Sequence, residues 1–197
     1  MTTENKPTSG DLHPERPQEK RRKLYLERLR ERRRKAGPGD QYYYAALKRG
    51  DPMVFCRYDG RQIAGIITQE GGYTFTLTTK QGRLVVDKTD LQFAYRAQSY
   101  GAVTQVVRLD ERVQRMKNQP IKEPSGRYPI PDEALQQCQA SGNRLRLTMR
   151  GGEVLEGRLE WFGGYDIKLE LATGKSVVVF RHAVYSHAVI ALPGVAR

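Results

Sequence analysis

The sequence predicts a mainly β chain of the α+β class. Two small, open barrels follow one another, each a short N-terminal helix and five bent antiparallel strands. Three observations predict it. Shifting the 197-residue sequence by 92 positions lays Gly60 on Gly152, Gly65 on Gly157, Gly71-Gly72-Tyr73 on Gly163-Gly164-Tyr165 and Gly82 on Gly174, with no gap over 59–94. Apolar positions obey the same shift, Ile63 falling on Leu155, Phe75 on Ile167 and Leu77 on Leu169, as expected of a duplicated fold. Within the copies, Tyr73-Thr74-Phe75-Thr76-Leu77 and Asp166-Ile167-Lys168-Leu169-Glu170-Leu171 alternate polar with apolar, the period of a strand with one buried face.

Residues 1–16 are rich in Pro, Thr, Ser and Glu, too polar to bury a core, and are expected to be disordered. From 17 to 35 the composition becomes that of an Arg-rich helical arm, with Pro17 in its first turn and Gly37-Pro38-Gly39 to stop it. Its apolar stripe, Leu24, Tyr25, Leu26 and Leu29, is too narrow for a core. One reading is a solvated helix that keeps the chain soluble. The other is a basic N-terminal arm, carrying Arg21, Arg22, Arg32, Arg33 and Arg34, that orders on nucleic acid and gains affinity by releasing counterions.

The first repeat, 40–96, opens with a helix over 41–48 capped by Asp40. Strands follow near 53–58, 62–69, 73–79, 83–87 and 91–96, parted by turns at Asp59-Gly60, Gly71-Gly72 and Lys80-Gln81-Gly82. Residues 97–131 have no counterpart in the repeat. There Val103, Val106, Val107, Val113 and Met116 form one helical stripe, and Pro120, Pro124, Pro129 and Pro131 make 120–131 an extended linker. The second repeat, 132–193, starts with a helix near 132–140 capped by Asp132 and ends in an apolar strand over 183–191, leaving 194–197 as a tail. Between them Leu145, Leu147 and Met149 alternate with polar residues, Gly157 lets its strand bend sharply, and Val177-Val178-Val179-Phe180 reads as a buried strand. Open strand edges invite pairing with a further unit into a ring.

A net charge of +12 and a pI near 9.8 call for a polyanionic partner, nucleic acid first. No apolar run approaches the roughly 18 residues of a membrane span, and no secretory signal is visible, so a cytoplasmic protein without a membrane partner is expected. Cys56 and Cys138 sit at non-equivalent points of the repeat and read as reduced core residues, without metal spacing. The chain offers no phosphate-cradling loop and no nucleophile with a plausible base, so it is not expected to be an enzyme.

Gly152, Leu155, Gly157, Leu159, Glu160, Phe162 and Tyr165, followed by Phe180-Arg181-His182-Ala183, resemble the two signatures of the Sm-like family. The second repeat is similar to bacterial Hfq over roughly 132–193, and the first, over 41–96, more loosely. The resemblance implies two Sm-like (SH3-like) small open barrels. It implies a ring of six such units that binds small regulatory RNAs and messenger RNAs, promotes their pairing and needs no cofactor. It assigns uridine-rich RNA to an aromatic ring at Tyr165 and a basic pair at Arg181 and His182, after Phe180; Tyr73 and Lys88 are the candidates in the first copy. The chemistry is sensible by itself. A tyrosine face stacks a base for about 1–3 kcal/mol, an arginine forks onto a phosphate, and a histidine donates to sugar or phosphate.

The departures are specific. Gly164 stands where the family carries a glutamine, and Thr148 where the opposite, adenine-reading face carries a tyrosine. Glu153 and Glu156 put acids on that face, and Gln139, Ala140 and Gly142 replace the rim arginines. In the first repeat Thr89-Asp90, after Lys88, replace the basic pair, so that copy is expected to be mainly structural. Two repeats per chain imply a homotrimer closing a six-barrel ring; stacked rings and a monomeric double barrel stay open. The alternative function is a structural or scaffold protein, ribosome- or nucleoid-associated, that holds RNA or DNA non-specifically.

Overall fold

The computed structural model describes residues 37–191. The expected disordered tail and the arm residues Arg21, Arg22, Arg32, Arg33 and Arg34 lie outside the described residues, as does the tail at 194–197. Helix α1 (Pro38–Arg49) begins earlier than the sequence suggested. Pro38 has its φ preset and no N–H to leave unpaired, so it serves as the first helical residue; Asp40 falls in the first turn instead of at the cap. Gly50, at φ 66°, ends the helix in the left-handed conformation that glycine adopts without strain. Strands β1 (Pro52–Arg57), β2 (Gln62–Glu70), β3 (Thr74–Thr79), β4 (Gly82–Asp87) and β5 (Leu91–Arg96) follow, each close to its expected place.

The connection is not one helix. It divides into α2 (Tyr100–Val106), a two-residue strand β6 (Arg108–Leu109) and α3 (Glu111–Arg115). The β-branched run at 106–107 favours extended backbone, and Asp110 starts a new helix by accepting from the N–H groups of Arg112 and Val113 at 3.0 and 3.1 Å. Val103 and Val113 are buried, whereas Met116 is exposed. Helix α4 (Asp132–Ser141) has Pro131 at its cap and Asp132 as its first residue. Strands β7 (Arg144–Met149), β8 (Glu153–Phe162), β9 (Asp166–Leu171), β10 (Ser176–Phe180) and β11 (Val184–Ile190) complete the chain.

The eleven strands make one open antiparallel sheet in the order β11-β7-β8-β9-β10-β5-β1-β2-β3-β4, with β6 added beside β8. Its two halves have the same internal order: β5-β1-β2-β3-β4 and β11-β7-β8-β9-β10. They join where β10 pairs with β5, Val178 opposite Ala94 and Val179 opposite Phe93. Strands at this junction are buried on both faces. Val54, Cys56, Phe93 and Tyr95 share a core with Leu145, Leu147, Val177 and Val179. Met53, Phe55, Leu91 and Ala94 share the other with Tyr43, Phe75, Val178 and Phe180. Both cores therefore cross the repeat boundary, and burial of that much apolar surface fastens the halves together. Cys56 and Cys138 are free and buried, and burial pushes the Cys56 thiol up to about 12, so it stays protonated and unreactive. No described helix is long and apolar enough to cross a membrane.

Candidate nucleic-acid interface

The Gly-Gly-Tyr turns between β2 and β3 and between β8 and β9 are built alike. Gly71 N–H donates to the Thr74 carbonyl and Gly163 N–H to the Asp166 carbonyl, both at 2.8 Å. Each tight turn thrusts its tyrosine outward. Tyr73 is 83% and Tyr165 74% exposed, and a large aromatic left in water offers a stacking face. The Tyr165 carbonyl accepts from the Arg181 N–H at 2.8 Å, and the Tyr73 carbonyl accepts from the Lys88 N–H at the same distance. Each tyrosine is thus held against a cationic residue at the start of a single 3₁₀ turn, Arg181–Ala183 or Lys88–Asp90.

These bonds correct the alignment of the two copies. The 92-residue shift holds through β3 and β9, where Phe75 and Ile167 are equivalent. Thereafter it becomes 93, because Val86 pairs with Phe75 as Val179 pairs with Ile167. The turn before β10 contains one more residue than the turn before β4, so Gly82 and Gly174 are not equivalent. Lys88 stands at the place of Arg181, Thr89 at that of His182 and Asp90 at that of Ala183. The first copy has kept its cation and lost only the histidine.

The cations are not idle. Arg181 Nη1 donates to Asp132 Oδ1 at 2.8 Å and to the Gly163 carbonyl at 2.9 Å, and its Nη2 donates to the Ile130 carbonyl. Lys88 turns inward. Its Nζ lies 3.1 Å from Glu70 Oε1 and 4.6 Å from the centre of the Phe75 ring, and both charged groups of the pair are mostly buried. His182 is 8% exposed, with Nε2 3.0 Å from the Leu91 carbonyl across the repeat boundary. Burial lowers its pKa to about 4, so the ring is neutral at physiological pH and acts as a hydrogen-bonding tie. Phe180 lies in the core, stacked on Tyr43 at 5.9 Å. Tyr165 and Arg181 are joined backbone to backbone, His182 follows in the same 3₁₀ turn with its ring on Leu91, and of the three only Tyr165 presents its side chain to solvent.

Asp166 gave no sequence signal beyond its place in an alternating strand. It is buried beneath the start of α1, against Gly39, where a β-carbon would collide with its carboxylate. Burial raises its pKa to about 7; Lys88 opposes that rise, and Asp40 and Glu70 add to it. Its Oδ1 has no hydrogen-bond partner. Among the described residues no three His, Cys, Asp or Glu side chains converge as a metal site. Neither the family models nor the curated proteins include a match to this chain.

Proposed function

We propose that the chain is an RNA-binding protein of Hfq type, each half of its sheet acting as a Sm-like barrel. It binds uridine-rich single strands and promotes RNA–RNA pairing. The observation that carries this reading is the pair of exposed tyrosines, Tyr73 and Tyr165, at equivalent turns, each coupled through its carbonyl to a cationic residue. Successive bases stack on such rings while a basic chain gathers the phosphates, here with a net charge of +12. Because Lys88 matches Arg181, the first copy joins in as a second stacking point. Three chains, each carrying two units, close the ring.

A second reading, a scaffold that holds nucleic acid through its charge alone, is favoured by one observation: Arg181 and His182 spend their donors on protein acceptors. Anisotropy titrations of labelled oligouridine and oligoadenine separate the two. Tyr165→Ala is expected to weaken oligouridine binding about tenfold, and Tyr73→Ala by a similar factor, each with loss of the preference over oligoadenine. An unaltered preference in the double variant overturns the chaperone reading and leaves the scaffold.

A further inference from the structure

At the end of β8 remote from Tyr165 lies a cleft of about 750 Å³, within the usual range for small-molecule sites. One wall is the end of β1 and its turn, with Arg57 and Tyr58. The other is the chain after α3, with Lys117, Asn118 and Gln119, and Arg150 of the β7–β8 turn closes the end. The site therefore needs both repeats and the connection between them.

Its charges are unevenly used. Arg115 is held by Glu111 at 2.6 Å, and Asp59 lies 3.6 Å from Arg61. Among the described residues Arg57 and Lys117 make no ion pair, and Arg150 spends its Nε on the Gln119 carbonyl at 3.3 Å. Glu153 is withdrawn to the floor, where the Gln92 amide donates to both its oxygens at 3.0 and 3.1 Å. Asp90 is the carboxylate that an anion has to avoid.

Its shape is set in advance. Gln92, with no exposure, also accepts from the Gly151 N–H at 2.7 Å and donates to the Arg57 carbonyl at 2.9 Å, tying the β1 wall, the β7–β8 turn and the floor to one side chain. Lys117 has φ 48°, the only positive φ outside glycine among the described residues, and such strain gathers where a chain is shaped around a ligand. The Tyr58 hydroxyl is buried without a hydrogen-bond partner. Gln114, Asn118 and Gln119 add carboxamides; the Asn118 amide donates to the Val113 and Arg150 carbonyls and the Gln119 amide to the Lys117 carbonyl, so their side-chain oxygens and the Gln114 carboxamide are the groups a base edge can use.

We propose that this cleft binds a nucleoside phosphate, with the phosphate on Arg57 and Lys117 and the base between Tyr58 and the carboxamides. A free nucleotide and one unit of an RNA strand share this chemistry. The site is separate from the tyrosine turns and stands or falls independently of them.

The test is calorimetric titration of the full chain with uridine monophosphate, adenosine monophosphate and inorganic phosphate. Arg57→Glu combined with Lys117→Gly is expected to weaken mononucleotide binding at least about tenfold, while Lys80→Glu, a charge reversal at the exposed β3–β4 turn away from the cleft, leaves it unchanged. Among the described residues neither altered side chain has a hydrogen bond to lose, and glycine relieves the φ of residue 117, so the variant should melt no earlier than its parent. Arg57→Lys, which restores the charge, should recover affinity to within about threefold. Competition of bound mononucleotide by a hexanucleotide assigns RNA as the source; its absence assigns the free nucleotide. The proposal is overturned by the lack of mononucleotide binding up to about 5 mM. Equal affinity in the double variant, or phosphate binding as tight as that of either nucleotide, overturns it as well.

Discussion

His182 of the second repeat is tied to Leu91 of the first, Nε2 to carbonyl oxygen, over 3.0 Å. A carbonyl only accepts, so the ring must keep its Nε2–H, and the buried site disfavours a second proton on it. The folded-state pKa, about 4, lies below the ordinary 6.5. The neutral ring's contribution is therefore complete above pH 6.5 and is lost as the pH falls towards 4. His182→Gln should flatten this part of the profile. Relative to the parent, the variant should be destabilised by about 2 kcal/mol at pH 7 and by much less at pH 4, read from urea midpoints. A parent–variant difference that is the same at both pH values refutes the tie.

Asp166 works in the opposite direction. Its folded-state pKa, about 7, lies above the ordinary aspartate value of 3.8, so the stability held by the neutral acid is complete below pH 3.8 and is lost as the pH rises through 7. Asp166→Asn cannot ionise. It should be more stable than the parent by about 1–3 kcal/mol at pH 8 and equal to it near pH 4. Lys88, Glu70, Asp40 and Tyr43 surround the site and set the size of the effect. Chemical denaturation at the two pH values decides it, and an asparagine variant that is weaker at pH 8 refutes the assignment.

Much of this fold was legible in the sequence. Period-two alternation and the Gly-Gly-Tyr turns placed the strands, because these are local choices of backbone and burial. The junction of β10 with β5 was not legible, since the pairing of one strand edge with another carries no local mark. The alignment slipped by one residue after β3 because Gly82 and Gly174 both have positive φ and look equivalent in sequence. Hydrogen-bond registry, at Lys88 with Tyr73 and Arg181 with Tyr165, was needed to correct it. Residue type pointed to a site at Arg181 and His182. Their partners Asp132, Ile130 and Leu91 come from distant parts of the chain and were invisible. The cleft at Arg57 and Lys117 was missed entirely, its walls being scattered over four segments.

The close packing of β8 on β9 depends on Gly157. A β-carbon there would run into the Glu170 carbonyl of the adjacent strand, backbone that the β8–β9 ladder holds in place. Its counterpart Gly65 faces the Thr78 carbonyl, with 2.9 Å left for a β-carbon. Gly157→Ala should therefore cost about 2–4 kcal/mol and Gly65→Ala less, about 1–2 kcal/mol. Thermal melts rank them, and the reverse order would show that the close approach at Gly157 does not set the cost.

The proposed ring makes its own register prediction. Among the described residues the strand order ends at two edges, β4 and β11, and they correspond to the strands that meet inside the chain, β10 and β5. At the internal junction Val178 faces Ala94. Val85 is the residue of β4 equivalent to Val178, since Val85 pairs with Thr76 as Val178 pairs with Lys168. His187 is the residue of β11 equivalent to Ala94, since His187 pairs with Leu147 as Ala94 pairs with Phe55. Repeating the junction between chains therefore puts Val85 opposite His187 of the next copy. Leu84 and Val85, the latter 61% exposed, leave apolar side chains on an edge that a solitary chain would protect with charge. Leu84→Lys with Val85→Lys should convert a trimer to monomers in native mass spectrometry while the strand content in circular dichroism stays the same. A parent that is monomeric, or a lysine variant that remains trimeric, removes this edge from the assembly.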